Sequence, residues 1–145
     1  MIINNIRHTG IVVDNLEASL GFYKGLLGFE IEKVTDEDEG FVCEILGIVS
    51  AGLKTVKLSV GKGDCKQLIE LLSFNDKKCG AFDLITTGPT HLAVGVHDIN
   101  KFYSKLYENG VHFISAPKIS PNKNAKVCFC KAPEGTYIEL VQLLK

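Results

Sequence analysis

Apolar and polar positions in this chain fall into short runs, and the runs come in two matching sets. Each set opens on a histidine that begins a β-branched, strand-like stretch: His8-Thr9-Gly10-Ile11-Val12-Val13 in the first, His91-Leu92-Ala93-Val94-Gly95-Val96 in the second. Each stretch runs to an acidic residue, Asp14 or Asp98, placed to cap a helix. Glu17, three residues beyond Asp14, completes a capping-box spacing. The helices that follow carry apolar stripes at helical spacing, Leu16, Leu20, Tyr23 and Leu27 in one and Ile99, Phe102, Tyr103 and Leu106 in the other. Both contain a Phe-Tyr pair, and both stop at a glycine, Gly28 or Gly110, suited to a left-handed C-cap.

Three further strand-like runs complete each set: 29–34, 53–60 and 67–73, then 111–114, 126–131 and 136–143. The last runs rhyme, Leu68-Ile69-Glu70-Leu71-Leu72 against Tyr137-Ile138-Glu139-Leu140-Val141. The pattern predicts an α+β chain of two tandem βαβββ modules, about 1–75 and 90–145, within a single domain spanning 1–145. The first copy is longer between its His and its Glu. The extra residues are expected in 35–52, where 41–47 suits a short helix, and 75–90 is expected to be the linker, ended by Gly88-Pro89.

Composition narrows the setting. With 145 residues and a formal charge of -1, the chain has no basic stretch to neutralise phosphates, so nucleic acid is not an expected partner. No apolar run approaches the roughly 18 residues that span a bilayer, and residues 1–8 lack the layout of a signal peptide. A cytoplasmic protein is expected. The five cysteines form no CxxC pair. Cys128 and Cys130 share one strand face and read as small core residues.

Parity along the strands singles out four residues. His91, Ala93 and Gly95 share one face, and the bulkier Leu92, Val94 and Val96 share the other, where a helix would pack. His8 and Gly10 repeat the arrangement opposite Ile11 and Val13. Each histidine therefore stands beside small residues that leave room for a ligand. Glu70 and Glu139 are flanked by apolar residues on both sides, and a buried carboxylate must be paired, protonated or bound to metal. No Lys or Arg recurs at matching positions to pair with both. A lone His at a strand start is ordinarily a surface or satisfied residue, and a lone Glu an outward one. The recurrence of both at equivalent places points to one divalent metal held by His8, Glu70, His91 and Glu139, a donor set suited to zinc, nickel, cobalt, manganese or ferrous iron. His97 and His112 have no counterpart in the repeat and are expected at the surface.

Several of these segments together resemble the vicinal oxygen chelate superfamily, the glyoxalase, bleomycin-resistance and extradiol-dioxygenase group. They are His8 to Leu16 with Phe22-Tyr23 and Leu27-Gly28-Phe29, then Leu68-Ile69-Glu70-Leu71, His91-Leu92-Ala93-Val94, and Pro133-Glu134-Gly135-Thr136-Tyr137-Ile138-Glu139-Leu140. The resemblance covers nearly the whole chain and implies an eight-stranded, cup-shaped mixed sheet. The family's four ligand positions fall on His8, Glu70, His91 and Glu139, all filled by competent residues. Ala132 departs from the acidic residue that many members place before the proline, outside the ligand set.

The filled ligand set resembles the metal-dependent isomerase and epimerase branch more than sequestering proteins, which lack the ligands, or ring-cleaving dioxygenases, which use two His and one carboxylate. The implied chemistry removes a proton beside a carbonyl of a small-molecule substrate, with the metal stabilising the enediolate. Glu139 is the first candidate for the base and Glu70 the second. Val12 stands where glutathione-using glyoxalases carry a basic residue, and Phe74 where they commonly have an asparagine, which weighs against a glutathione hemithioacetal. An epimerase of an acyl-CoA or sugar-like substrate and a non-catalytic small-molecule-binding protein stay open beside a glyoxalase-like lyase. Residues 41–47 suit either a lid or a loop packed on the rim. Strand edges that need cover, and the family's habit of pairing, imply a homodimer, its cup built within one chain or between two.

Overall fold

Which face of each strand is buried follows from where the β-branched and leucine side chains fall. The computed structural model describes residues 7–37, 39–40, 52–75, 91–121 and 123–144. It divides into two compact units, 1–79 and 80–145, each with the element order β-α-β-β-β that the repeat predicts. The expected helix or lid at 41–47 and all of the expected linker beyond Asn75 lie outside the described residues.

Unit 1 comprises β1 (Thr9–Val12), α1 (Leu16–Leu20), β2 (Glu30–Asp36), β3 (Leu53–Val60) and β4 (Gln67–Phe74). Its mixed sheet has the order β1-β4-β3-β2, with β1 parallel to β4 and the other pairs antiparallel. The pairings Ile11↔Leu71, Val56↔Leu71 and Leu58↔Ile69 put these residues on one face, and all of them are buried. Phe22, Tyr23 and Phe29 complete the core, with Tyr23 edge-on to both neighbours at 5.2 and 6.0 Å between ring centres.

Two details of α1 depart from the pattern. Its cap is Asn15 rather than Asp14; the Asn15 side chain accepts the Ala18 N–H at 3.0 Å. The chain is still leaving the sheet at Val13, whose N–H donates to the Leu72 carbonyl, so the first helical turn starts a residue late. Ala18 then occupies the third helical position, and Glu17 closes no capping box. Beyond Leu20 the helix widens into a π-type turn, Gly21–Leu26, in which the Leu27 N–H reaches back five residues to the Phe22 carbonyl. The wider turn rotates the buried stripe. Ser19, Phe22 and Tyr23 are buried, while Leu16, Leu20 and Leu27 are only partly covered.

Unit 2 comprises β5 (His91–Gly95), α2 (Ile99–Glu108), β6 (Lys118–Ile119), β7 (Ala125–Lys131) and β8 (Tyr137–Leu143), in the sheet order β5-β8-β7-β6. Asp98 caps α2 as expected, accepting the Lys101 N–H at 3.1 Å. Ile99 and Leu106 of the predicted stripe are fully buried, as are Ile138, Leu140 and Cys130, with Cys128 close behind. Burial pushes the Cys128 thiol up to about 11 and the Cys130 thiol up to about 12, as inert core residues require. The expected strand at 111–114 is reduced to a single bridge, Phe113↔Cys130, and ladder pairing resumes only at Lys118. Pro117, which has no N–H to give a ladder, stands between them.

Both helices end at the expected glycines, Gly28 at φ 82° and Gly110 at φ 78°. Gly61 does a further job. At φ 83° it opens the turn joining β3 to β4, and a Cβ there would stand 2.6 Å from the Cys65 carbonyl oxygen. This turn sets the register that brings Lys57 opposite Glu70. Gly28→Ala, with open space around its Cβ, should cost only the left-handed penalty of about 1 kcal/mol. Gly61→Ala adds a backbone clash and should cost at least about 2 kcal/mol. Urea unfolding of the two variants checks the order, and equal losses would contradict the role given to the turn.

Candidate metal centre

The sheet face opposite the core carries the chemistry in both units. In unit 1, His8, Gly10 and Val12 are exposed on this face. Gly10 pairs with Glu70 across the parallel β1–β4 ladder, which brings the histidine one pleat earlier beside the carboxylate. His8 Nε2 lies 3.2 Å from Glu70 Oε2. Lys57, directly opposite Glu70 on β3, places its Nζ 3.4 Å from the other oxygen, Oε1. Glu70 is the most sheltered of the three, with 13% of its side chain exposed.

Two buried hydroxyls flank Lys57 on the same face. Ser59 donates to Glu32 Oε1 at 2.5 Å, and Thr55 donates to Glu37 Oε1 at 2.7 Å. Lys66 Nζ approaches the same Glu32 oxygen at 2.6 Å. The β2–β3 register shifts between Ile31 and Lys33, the step at which Glu32 reaches Ser59. The Lys66 ammonium, and after it the Ser59 hydroxyl, hold the Glu32 carboxyl below the usual range.

Unit 2 repeats the histidine and the glutamate and changes their neighbours. His91, Ala93 and Gly95 are exposed while Leu92 and Val94 are partly covered, the alternation read from the sequence. Ala93 pairs with Glu139 as Gly10 does with Glu70, and His91 Nε2 lies 3.3 Å from Glu139 Oε2. Opposite Glu139 stands Phe129, where unit 1 has Lys57. Its ring meets His91 edge-on at 5.4 Å. Tyr137, on the same face, carries Lys131 Nζ 4.8 Å above its ring.

Each unit thus gathers one imidazole and one carboxylate. Among the described residues, no cluster of three or more His, Cys, Asp or Glu is assembled, and His97 and His112 are exposed as expected. The pairs have the chemistry of a metal's donors. Two donors each about 2.1 Å from one ion at right to tetrahedral angles stand roughly 3.0–3.4 Å apart, and both pairs fall in that interval. Lys57 and Phe129 were not singled out from the sequence. The signal was available in the alternation of Thr55, Lys57 and Ser59 with Val56, Leu58 and Val60, but using it needs the register that the Gly61 turn sets.

The sequence model of the Glyoxalase/Bleomycin resistance protein/Dioxygenase superfamily matches residues 5–140. A probable lactoylglutathione lyase of Synechocystis is 29% identical over 138 residues, covering 94% of each chain. Among solved structures, a glyoxalase family protein from Bacillus cereus superposes with a TM-score of 0.81 at 18% identity, over 100% of this chain and 97% of that one. The trypanothione-dependent glyoxalase I of Leishmania major gives 0.72 at 22% identity, over 97% and 87%. At these identities the structural likeness establishes the fold, an α+β arrangement of two four-stranded mixed sheets.

The Glu32 carboxylate offers a check on this face of unit 1. Because its folded value is lowered, its contribution to stability is present above the ordinary Glu value of about 4.3 and is lost as pH falls through the lowered one. Lys66→Met should move the Glu32 titration, followed by carboxyl-carbon NMR, up toward the ordinary range. A parent Glu32 that already titrates in the ordinary range would contradict the Lys66 and Ser59 contacts.

Proposed function

The chain belongs to the Glyoxalase/Bleomycin resistance protein/Dioxygenase superfamily, and from that premise we propose that it is a divalent-metal-dependent isomerase or lyase of the glyoxalase type. The observation that carries the proposal is the repeated His–Glu pair, set at the same register in both units. An imidazolium–carboxylate hydrogen bond has a similar length. What favours a metal is the occurrence of the same pair twice, with a small residue, Gly10 or Ala93, opposite each carboxylate. In this reading His8 and Glu70 form one half-site, His91 and Glu139 the other, and two half-sites from one chain or from two share a single ion. Zinc, nickel, cobalt, manganese and ferrous iron all suit two imidazoles and two carboxylates.

When bound, the ion supplies Lewis-acid polarisation of the substrate's carbonyl oxygen. The side chains do the rest. Glu139 takes the proton from the carbon beside the carbonyl as the C–H electron pair moves toward that oxygen, and the proton returns to a neighbouring carbon or to the opposite face of the same one. The first outcome is an isomerase or lyase reaction and the second an epimerisation. Glu70 is the second candidate for the base and the partner carboxylate in an epimerase. The name of the Synechocystis relative supports a lyase of the first type. Val12, 59% exposed on the ligand face, offers no cation there for a glutathione conjugate, so a smaller carbonyl substrate is favoured. The proposal includes a homodimer in the cytoplasm; among the described residues, no helix is long and apolar enough to cross a membrane.

Protein purified without chelators or a metal-affinity tag should carry one divalent ion per two half-sites. His91→Ala should lose metal and activity together, since it removes a donor. Glu139→Gln keeps a coordinating oxygen but cannot accept a proton at neutral pH, so metal should fall only moderately while turnover drops at least the roughly 10²–10⁴-fold typical of a lost general base. Near-full turnover in Glu139→Gln with its metal in place would move the base to Glu70. Solvent deuterium should enter the substrate beside the carbonyl without consumption of dioxygen; uptake of dioxygen with cleavage of a catechol would sink the proton-transfer reading. Sedimentation at micromolar concentration should give a dimer, and a monomer would count against that part.

A further inference from the structure

We propose that Lys57 makes the unit 1 half-site a receptor for a carboxylate, so that the substrate carries a negative charge close to its carbonyl. The inference rests on the metal reading above and names the substrate class for that same site.

Three observations lead to it. Lys57 occupies the ligand face itself: its Nζ lies 3.4 Å from Glu70 Oε1, and 40% of its side chain is exposed, so the ammonium is open to a solute. The fold does not require a cation there, because the equivalent position of unit 2, opposite Glu139, is filled by Phe129. The third observation is where the neighbouring carboxylates are held. Glu32 is matched by Lys66, and Glu37 accepts from Thr55, so neither is aimed at Lys57 by the contacts on this face. Lys33, the cross-strand partner of Lys57 on β2, adds positive charge on the same side.

With Glu70 committed to a divalent ion, two ionised glutamates and two neutral histidines balance the metal. The Lys57 ammonium then faces a carboxylate whose charge the ion already balances. That ammonium suits a monoanion, and a substrate carboxylate provides it with two acceptor oxygens.

The test uses cobalt-loaded full-length protein and two small probes, glycolate and its uncharged analogue glycolamide, titrated by calorimetry. The parent should bind glycolate. Lys57→Met and Lys57→Gln should each weaken glycolate about tenfold, the scale of one lost charge contact at a half-exposed site, and leave glycolamide within about twofold. Each variant should still take up cobalt, and Lys57→Arg should retain glycolate binding. Unchanged glycolate affinity in both neutral variants, an equal loss for both probes, or no glycolate binding by the cobalt-loaded parent would overturn the assignment of Lys57. Failure of the parent to take up cobalt, read before any probe is added, would overturn the metal reading and this one with it.

Discussion

Everything at the candidate centre depends on the parallel pairing of the first strand of each unit with its last. A carboxylate in the middle of a sheet is costly unless a partner stands within reach, and neighbours along its own strand cannot serve because they point away or are apolar. The parallel ladder solves this by setting Gly10 against Glu70 and Ala93 against Glu139. The residue two positions before the small one then lies on the same face, one pleat along. In both units that residue is a histidine, and in both its Nε2 comes within 3.3 Å of the carboxylate. A shift of one residue in either ladder would turn the histidine into the core and bring Ile11 or Val94 to the ligand face.

The same register isolates the chemistry from the packing. Ile11, Leu71, Val56 and Leu58 in unit 1, and Ile138, Leu140, Cys128 and Cys130 in unit 2, fill the opposite faces, with the apolar sides of the helices providing further buried residues. Lys57 and Phe129, neither of them buried, can therefore differ between the units without opening a void in the core. The two units show how far this goes. Around the same His and Glu, unit 1 places Lys57 between two buried hydroxyls, whereas unit 2 places aromatic rings.

Much of this is legible in the sequence. The α+β class, the two βαβββ modules, the strand parity around His8 and His91 and the burial of Cys128 and Cys130 all follow from periodicity, because alternation alone decides which side chains share a face. Three details depart from the pattern where local chemistry overrides periodicity. Asn15 displaced Asp14 as cap because backbone pairing at Val13 delays the helix. The π-type turn after Leu20 rotated a stripe that a 3.6-residue period places elsewhere. The run 111–114 keeps only the Phe113 bridge, and Pro117 beyond it separates that bridge from the ladder at Lys118. Lys57 was invisible for a different reason: its meaning lies in a cross-strand partner thirteen positions away, and a lone lysine in a strand ordinarily reads as a solvated side chain.

The neighbours of the two glutamates also bear on their division of labour. Glu70 is tethered at both oxygens, by His8 at Oε2 and by Lys57 at Oε1. A carboxylate held from two sides keeps its place, which suits a permanent ligand. At Glu139 the imidazole is repeated, but the strand opposite offers the phenyl ring of Phe129, which donates no charged hydrogen bond. Its side chain is also the more exposed of the two, 22% against 13%. A base must reach the substrate's proton and carry it, and both acts need a carboxylate that can swing. On these grounds the proposed mechanism gives Glu139 the moving role and Glu70 the fixed one, a distinction that the matching strand sequences around them, Ile-Glu-Leu in each, do not contain.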